Sequence, residues 1–183
     1  MKKYTHSLKL FPLMSTIFAL TCASPTNSKQ VIFPINLIPN SSFESSGNPS
    51  MSDWLNSDTA RIQIVPDAAP GGGAWGLKMV GDGIYGYVAR YSFVPPSGTH
   101  SYRFSFWAKA TADSVGFGRL YFAPFPGGDW LGERGLMVKD TSWTFYSMDT
   151  TFDSTPIQYI NLNLRTHLQG VVHFDLVKVE QLN

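Results

Sequence analysis

From residue 102 to 109 the chain reads Tyr-Arg-Phe-Ser-Phe-Trp-Ala-Lys, a strict alternation of ring and polar side chains. An extended strand would line Tyr102, Phe104 and Phe106 along one face and leave Trp107 and Lys109 on the other. The same period of two recurs in short runs closed by turn residues. Arg61-Ile-Gln-Ile-Val65 ends at Pro66-Asp67, and Pro70-Gly-Gly-Gly73 leads into Leu77-Lys-Met-Val80. Tyr85 to Val94 ends at Pro95-Pro-Ser-Gly98, and Arg119 to Phe122 runs into the loop Pro124-Phe-Pro-Gly-Gly-Asp129. Trp143 to Phe152, Tyr159 to Arg165 and Val171 to Glu180 complete the set. No segment of ordinary helical length carries an amphipathic period. Short strands at this spacing predict an all-β sandwich or barrel of one domain.

Composition supports a packed β domain. Only 15% of residues are charged, 43% are hydrophobic and 14% are aromatic, the reverse of a disordered chain. A net charge of +1 gives no electrostatic reason to expect nucleic acid as a partner. The single cysteine excludes a disulfide within the chain.

The first 23 residues read as an export signal. Met1-Lys2-Lys3 and Lys9 precede the apolar run Leu10 to Leu20, which ends in Thr21-Cys22-Ala23-Ser24. That run is shorter than the ~20 residues a membrane span needs. Its loss would remove three lysines and leave a slightly acidic mature chain. Ala19-Leu-Thr-Cys22 resembles the lipobox of bacterial lipoproteins, which implies lipidation of Cys22 and anchoring to the cell envelope. The alternative is ordinary cleavage near Thr21 or Ala23, giving a periplasmic or secreted protein. Residues 24–35 then form a polar tether, and the domain occupies 36–183.

Within that domain an ordered set of segments stands out. Asn40-Ser-Ser-Phe-Glu44 is followed by Trp54, then Gly73-Ala-Trp-Gly-Leu77, then Tyr102 to Ala110. Trp143-Thr-Phe-Tyr146 and the terminal Val172-His-Phe-Asp-Leu-Val-Lys-Val-Glu180 follow. In this order they resemble the carbohydrate-binding modules of families four, nine and twenty-two. The resemblance implies a galactose-binding-like jelly roll of two antiparallel sheets. It also implies a structural Ca²⁺ tying the start of the domain to its last strand, held by Glu44, Asp175 and a backbone carbonyl near Gly73. Ca²⁺ takes six to eight oxygen ligands, mixing carboxylates with carbonyls. Leu176 stands where the family often has a further oxygen donor.

An oligo- or polysaccharide is the expected partner. Aromatic rings cover the C–H face of a sugar, while amides and guanidinium groups bond its hydroxyls. If Ile160, Leu162 and Leu164 enter the core, alternation brings Asn161, Asn163 and Arg165 together on the other face. Trp107 is a candidate stacking platform, Tyr85 and Tyr87 follow the Gly81-Asp-Gly83 turn, and Trp130 lies in the Pro/Gly loop. Each has an ordinary alternative: a solvent-facing strand, or a ring tucked beneath a loop. Arg90, Arg103 and Arg165 would accept uronic acids if they cluster.

Catalysis is not expected. The acidic residues are scattered through turns, with Asp129 and Glu133 sharing a loop with Trp130, whereas glycoside hydrolysis needs two carboxylates across a cleft. His100, His167 and His173 lack metal-ligand spacing. No nucleophile elbow, phosphate loop or dinucleotide fingerprint occurs. The leading reading is an exported, non-catalytic glycan-binding module. A surface lipoprotein that mediates protein–protein interaction or adhesion is the alternative, and a small polysaccharide hydrolase or lyase is a third.

Overall fold

Two five-stranded antiparallel sheets lie face to face in the computed structural model, which describes residues 34–83, 88–124, 131–167 and 169–182. These all belong to one unit, Phe33–Asn183. The short strands β1 (Glu44–Ser45), β2 (Asn48–Pro49) and β3 (Leu55–Asn56) come first, then β4 (Ile62–Val65), β5 (Gly76–Asp82) and β6 (Val88–Phe93). The longer β7 (Thr99–Ala110) and β8 (Gly116–Pro124), β9 (Glu133–Val138), β10 (Thr144–Asp153), β11 (Ile157–Thr166) and β12 (Gln169–Gln181) follow. The first sheet has the order β10-β7-β12-β5-β4 and the second β3-β6-β11-β8-β9, while β1 and β2 form a small hairpin. The expected all-β sandwich is the observed architecture.

The alternation read from the sequence sets which side chains meet between the sheets. Tyr102, Phe104 and Phe106 of β7 are fully buried, as are Phe174 of β12 and Ile160, Leu162 and Leu164 of β11. Phe106 packs edge-on against Phe174 with ring centroids 5.6 Å apart, and tilted on Phe104 at 5.2 Å. Gly118 of β8 faces these rings: a Cβ there would overlap Phe106, so the two layers close to contact only because this position has no side chain.

Four strands lie outside the runs read from the sequence: the two-residue β1, β2 and β3, and β9. Glu133, expected in a loop with Trp130, instead opens β9, which pairs with β8 from Tyr121↔Glu133 to Gly116↔Val138. Gly135 and the exposed Met137 blur its alternation, as is common at a sheet edge, where only one flank needs to pair.

β12 changes partner part-way along. It pairs with β5 as far as Phe174↔Leu77, and its register to β7 shifts between Asp175 and Lys178. Leu176 in this bulge has φ of 49°. Beyond it, the start of the domain continues the ladder. Leu37 N donates to Val179 O at 2.8 Å, Val177 N to Ser41 O at 2.8 Å, and Asn36 bridges to Glu180.

Candidate functional site: the outer face of the second sheet

Because Leu162 and Leu164 point inward, their neighbours on β11 must point out, and the registers to β6 and β8 extend each into a row. One row is Ser92, Asn161, Tyr121 and Glu133. The next is Leu55, Arg90, Asn163, Arg119 and Gly135, and the third is Val88, Arg165, Phe117 and Met137. Asn161, Asn163 and Arg165 therefore share one face, as the period of two predicted.

Hydrogen bonds across the strands fix these groups. Ser92 Oγ donates to Asn161 Oδ1 at 2.6 Å, and Arg90 Nε to Asn163 Oδ1 at 3.1 Å. Arg165 Nη1 donates to Tyr121 OH at 3.1 Å, and Arg119 Nη1 reaches Glu133 Oε1 at 3.0 Å. Both asparagines spend their carbonyl oxygens on neighbours, and their NH2 groups donate to no side chain or backbone group among the described residues. Asn163 is 94% buried, so its amide is held firmly by the strands on either side. Ring surface lies beside these donors: Arg119 stacks 4.3 Å above Phe117, and Tyr159 is 39% exposed on β11. A cleft of about 180 Å³ at the β3–β6 edge is lined by Leu55, Asn56, Ser57, Val88 and Arg90. The face thus offers amide N–H, guanidinium and phenol groups around exposed rings, which suits a ligand with many hydroxyls.

Not every expected site residue belongs here. Trp107 is on β7, so it projects from the outer face of the first sheet, on the opposite side of the molecule from Asn161, Asn163 and Arg165. Alternation within one strand established that Trp107 points outward but not from which sheet. Arg103 is on that far face too, bound to Asp149 by two hydrogen bonds of 2.8 Å, so it does not cluster with Arg90 and Arg165. Tyr85, Tyr87, Trp130 and Cys22 lie outside the described residues. Phe117, Arg119 and Tyr121 were missed as site residues. The alternation of Arg119-Leu-Tyr-Phe122 shows that two of them share a side, but only the pairing of β8 with β11 places them beside Asn163.

Trp107 and Phe145 form a tilted ring pair, centroids 5.7 Å apart, beside a cleft of about 540 Å³ on the first sheet's outer face. Arg103, Asp149, Lys178 and Glu180 also line it. The guanidinium of Arg103 holds the Asp149 carboxyl below the usual carboxylate range. Further along this sheet, Asp67 Oδ1 accepts from Lys109 Nζ at 2.8 Å and from Trp143 Nε1 at 3.4 Å. His173 Nδ1 lies 2.9 Å from Asp67 Oδ2 without the alignment of a hydrogen bond. Burial alone would raise the Asp67 carboxyl, but Lys109, His173 and Trp143 outweigh it and lower it.

Glu44, Gly73 and Asp175, the residues that the resemblance implied for Ca²⁺, lie around one glycine loop. A Cβ on Gly73 would meet both Glu44 carboxylate oxygens, and one on the adjacent Gly72 would overlap Asp175 Oδ2. Gly73 also has φ of 90°, so this loop needs glycine twice over. Glu44 Oε1 accepts from Ala74 N at 2.5 Å and Trp75 N at 2.6 Å. Asp175 is fully buried, accepting from Ala69 N at 2.8 Å and Leu176 N at 2.7 Å. Burial, with a contribution from the charge of Glu44, pushes its carboxyl up to about 7 despite these two bonds. In the opening segment Asn40 Oδ1 is buried and accepts no hydrogen bond. Two carboxylates facing a glycine cradle, one of them electrostatically strained, are a donor set that fits a hard cation. No group of three or more His, Cys, Asp or Glu side chains gathers among the described residues, so carbonyls and water would supply its remaining oxygens.

No family model matches the sequence, and no curated protein matches it significantly. Solved structures do match the fold. TmCBM61, solved with β-1,4-galactotriose, superposes with a TM-score of 0.57 over 80% of this chain and 99% of its own, at 19% identity. The CBM22-2 xylan-binding domain of Paenibacillus barcinonensis Xyn10C gives 0.57 over 81% and 98%, at 15% identity. The fold is that of the carbohydrate-binding jelly rolls. The same jelly roll recurs in the enzymatically active domain of bacteriophage CBA120 tailspike protein 4, with a TM-score of 0.61 and 14% identity. This chain covers 81% of itself in that match but only 22% of the tailspike chain. The fold match thus extends from xylan- and galactotriose-binding domains to an enzymatically active one, and activity must be argued from the site.

Proposed function

We propose that this jelly roll is a non-catalytic glycan-binding module and that its site is the outer face of the second sheet. The observation that carries the reading is the row-by-row convergence of Asn161, Asn163, Arg165, Arg90, Arg119 and Tyr121 on one face. Binding without chemistry fits the carboxyls. A glycosidase acid needs a raised pKa at a cleft. Among the described residues the raised carboxyl is Asp175, buried under the glycine loop, while Asp149 in the larger cleft is lowered. We also propose that Glu44 and Asp175 hold a structural Ca²⁺, and that the chain is exported and anchored through Cys22.

A glycan array of plant, bacterial and host oligosaccharides tests the binding. At least one oligosaccharide should bind with a Kd on the order of mM to μM. Asn163→Ala should weaken that binding roughly tenfold, because a buried amide that orients a sugar hydroxyl is lost. Trp107→Ala on the other sheet should leave it unchanged. Silence across the array would favour the protein-interaction reading, and loss of binding on Trp107→Ala alone would move the site to the first sheet.

A further inference from the structure

We infer that the glycan taken by this face is acidic, a uronic-acid oligosaccharide whose carboxylates are met by Arg90, Arg119 and Arg165; this rests on the glycan-binding reading above. Arg90 and Arg119 flank Asn163 on a single row, with one strand between them. Adjacent strands stand about 4.8 Å apart, so the two backbones are separated by roughly 10 Å, and Arg165 follows about 7 Å along β11.

Three guanidinium groups this close repel one another unless anions balance them. Of the side chains that the register places on this face, Glu133 is the only carboxylate among the described residues, and it pairs with Arg119. Arg90 and Arg165 are held by neutral oxygens instead, the Asn163 carbonyl and the Tyr121 hydroxyl. Each of those bonds uses one N–H of a five-donor group, which orients the fork and leaves donors for a ligand. A guanidinium held in this way is suited to bidentate capture of a carboxylate.

The far face of the sandwich shows the contrast. There the charge of Arg103 is balanced by Asp149 in a bidentate pair. With 14 cationic and 13 anionic side chains, the protein is nearly neutral as a whole, yet unbalanced positive charge collects where the amides and rings also gather. Arg90 further borders the 180 Å³ cleft beside β3, where the ring carrying a carboxylate could rest against Leu55 and Val88.

Isothermal titration with two sets of short oligosaccharides tests the inference. The acidic set is oligogalacturonides, oligoguluronates and oligoglucuronans; the neutral set is methyl-esterified oligogalacturonides with xylo- and galacto-oligosaccharides. At least one acidic ligand should bind ten or more times tighter than any neutral one. Its affinity should fall severalfold between about 0.01 M and about 1 M NaCl, as the screening length shrinks from about 30 Å to about 3 Å. Arg90→Gln and Arg165→Gln should each weaken binding roughly three- to tenfold with the fold intact by circular dichroism. Arg103→Gln removes the same charge from the far face and should change nothing.

Equal or tighter binding of the neutral set, or binding indifferent to salt, overturns the inference and leaves the glycan reading standing. An Arg103→Gln loss equal to that of Arg90→Gln also overturns it, since the attraction would then come from overall charge. No binding to either set removes both.

Discussion

Asp175→Asn separates a fold built around a cation from one that merely buries an acid, because the two cases give opposite signs. Without a cation, Asp175 has its carboxyl at about 7 against 3.8 in an ordinary aspartate. At about 1.4 kcal/mol per pKa unit, keeping that carboxylate ionised above neutral pH costs the fold roughly 4 kcal/mol. The folded chain then binds a proton that the unfolded chain has lost between about pH 4 and 7. Stability therefore falls as pH rises through that window, the reverse of an ion-paired aspartate. Asparagine removes the charge and still offers one oxygen to the N–H groups of Ala69 or Leu176, so in a cation-free protein Asp175→Asn should stabilise.

A bound Ca²⁺ reverses this, since it removes the electrostatic penalty and leaves the variant without a ligand. At a Ca²⁺ concentration about 100 times Kd, binding contributes about 2.7 kcal/mol. For a domain of this size that raises the melting temperature by roughly 5–10 °C. The assay is thermal unfolding at pH 8 of wild type and Asp175→Asn, in Ca²⁺ and in excess chelator. Wild type should melt above the variant in Ca²⁺ and drop to its level or below in chelator, while the variant does not respond. A wild-type transition indifferent to chelator, with the variant melting higher in both buffers, would refute the cation.

Two further outcomes are expected. Asp67→Asn should flatten the acid side of the stability profile: the Asp67 carboxyl is lowered in the fold, so its contribution is present above about pH 4 and lost as pH falls through its folded value. Its side chain is 35% exposed, so the loss at neutral pH, read by urea unfolding, should be about 1 kcal/mol or less, and no change would show the Lys109 pair to be inert. Intact-mass measurement of the processed chain should find residues 1–21 removed and acyl chains on Cys22; an unmodified chain starting at Cys22 or Ser24 would exclude the anchor.

What could be read from the sequence was whatever depends on a single strand. Alternation in Tyr102 to Lys109 separated the buried rings from Trp107, and alternation in Tyr159 to Arg165 separated Leu162 and Leu164 from Asn161, Asn163 and Arg165. What depends on two strands was not accessible in that way. Trp107 and Asn163 both face outward, and only the strand orders of the two sheets reveal that they face opposite directions. Arg119 and Tyr121 become site residues through the pairing of β8 with β11, a long-range choice set by packing across the core. β9 escaped notice because an edge strand with glycine at position 135 has little need of a regular pattern. Glu44 and Asp175, far apart in the chain, were legible only through the ordered family resemblance.

The pairing of Asn36 with Glu180 makes one strand, β12, the clasp that holds both ends of the described domain. Chain entering at residue 36 and chain leaving after Gln181 do so as neighbours on the first sheet. Peeling β12 from the sheet would therefore release the first and last ladders of the described domain together.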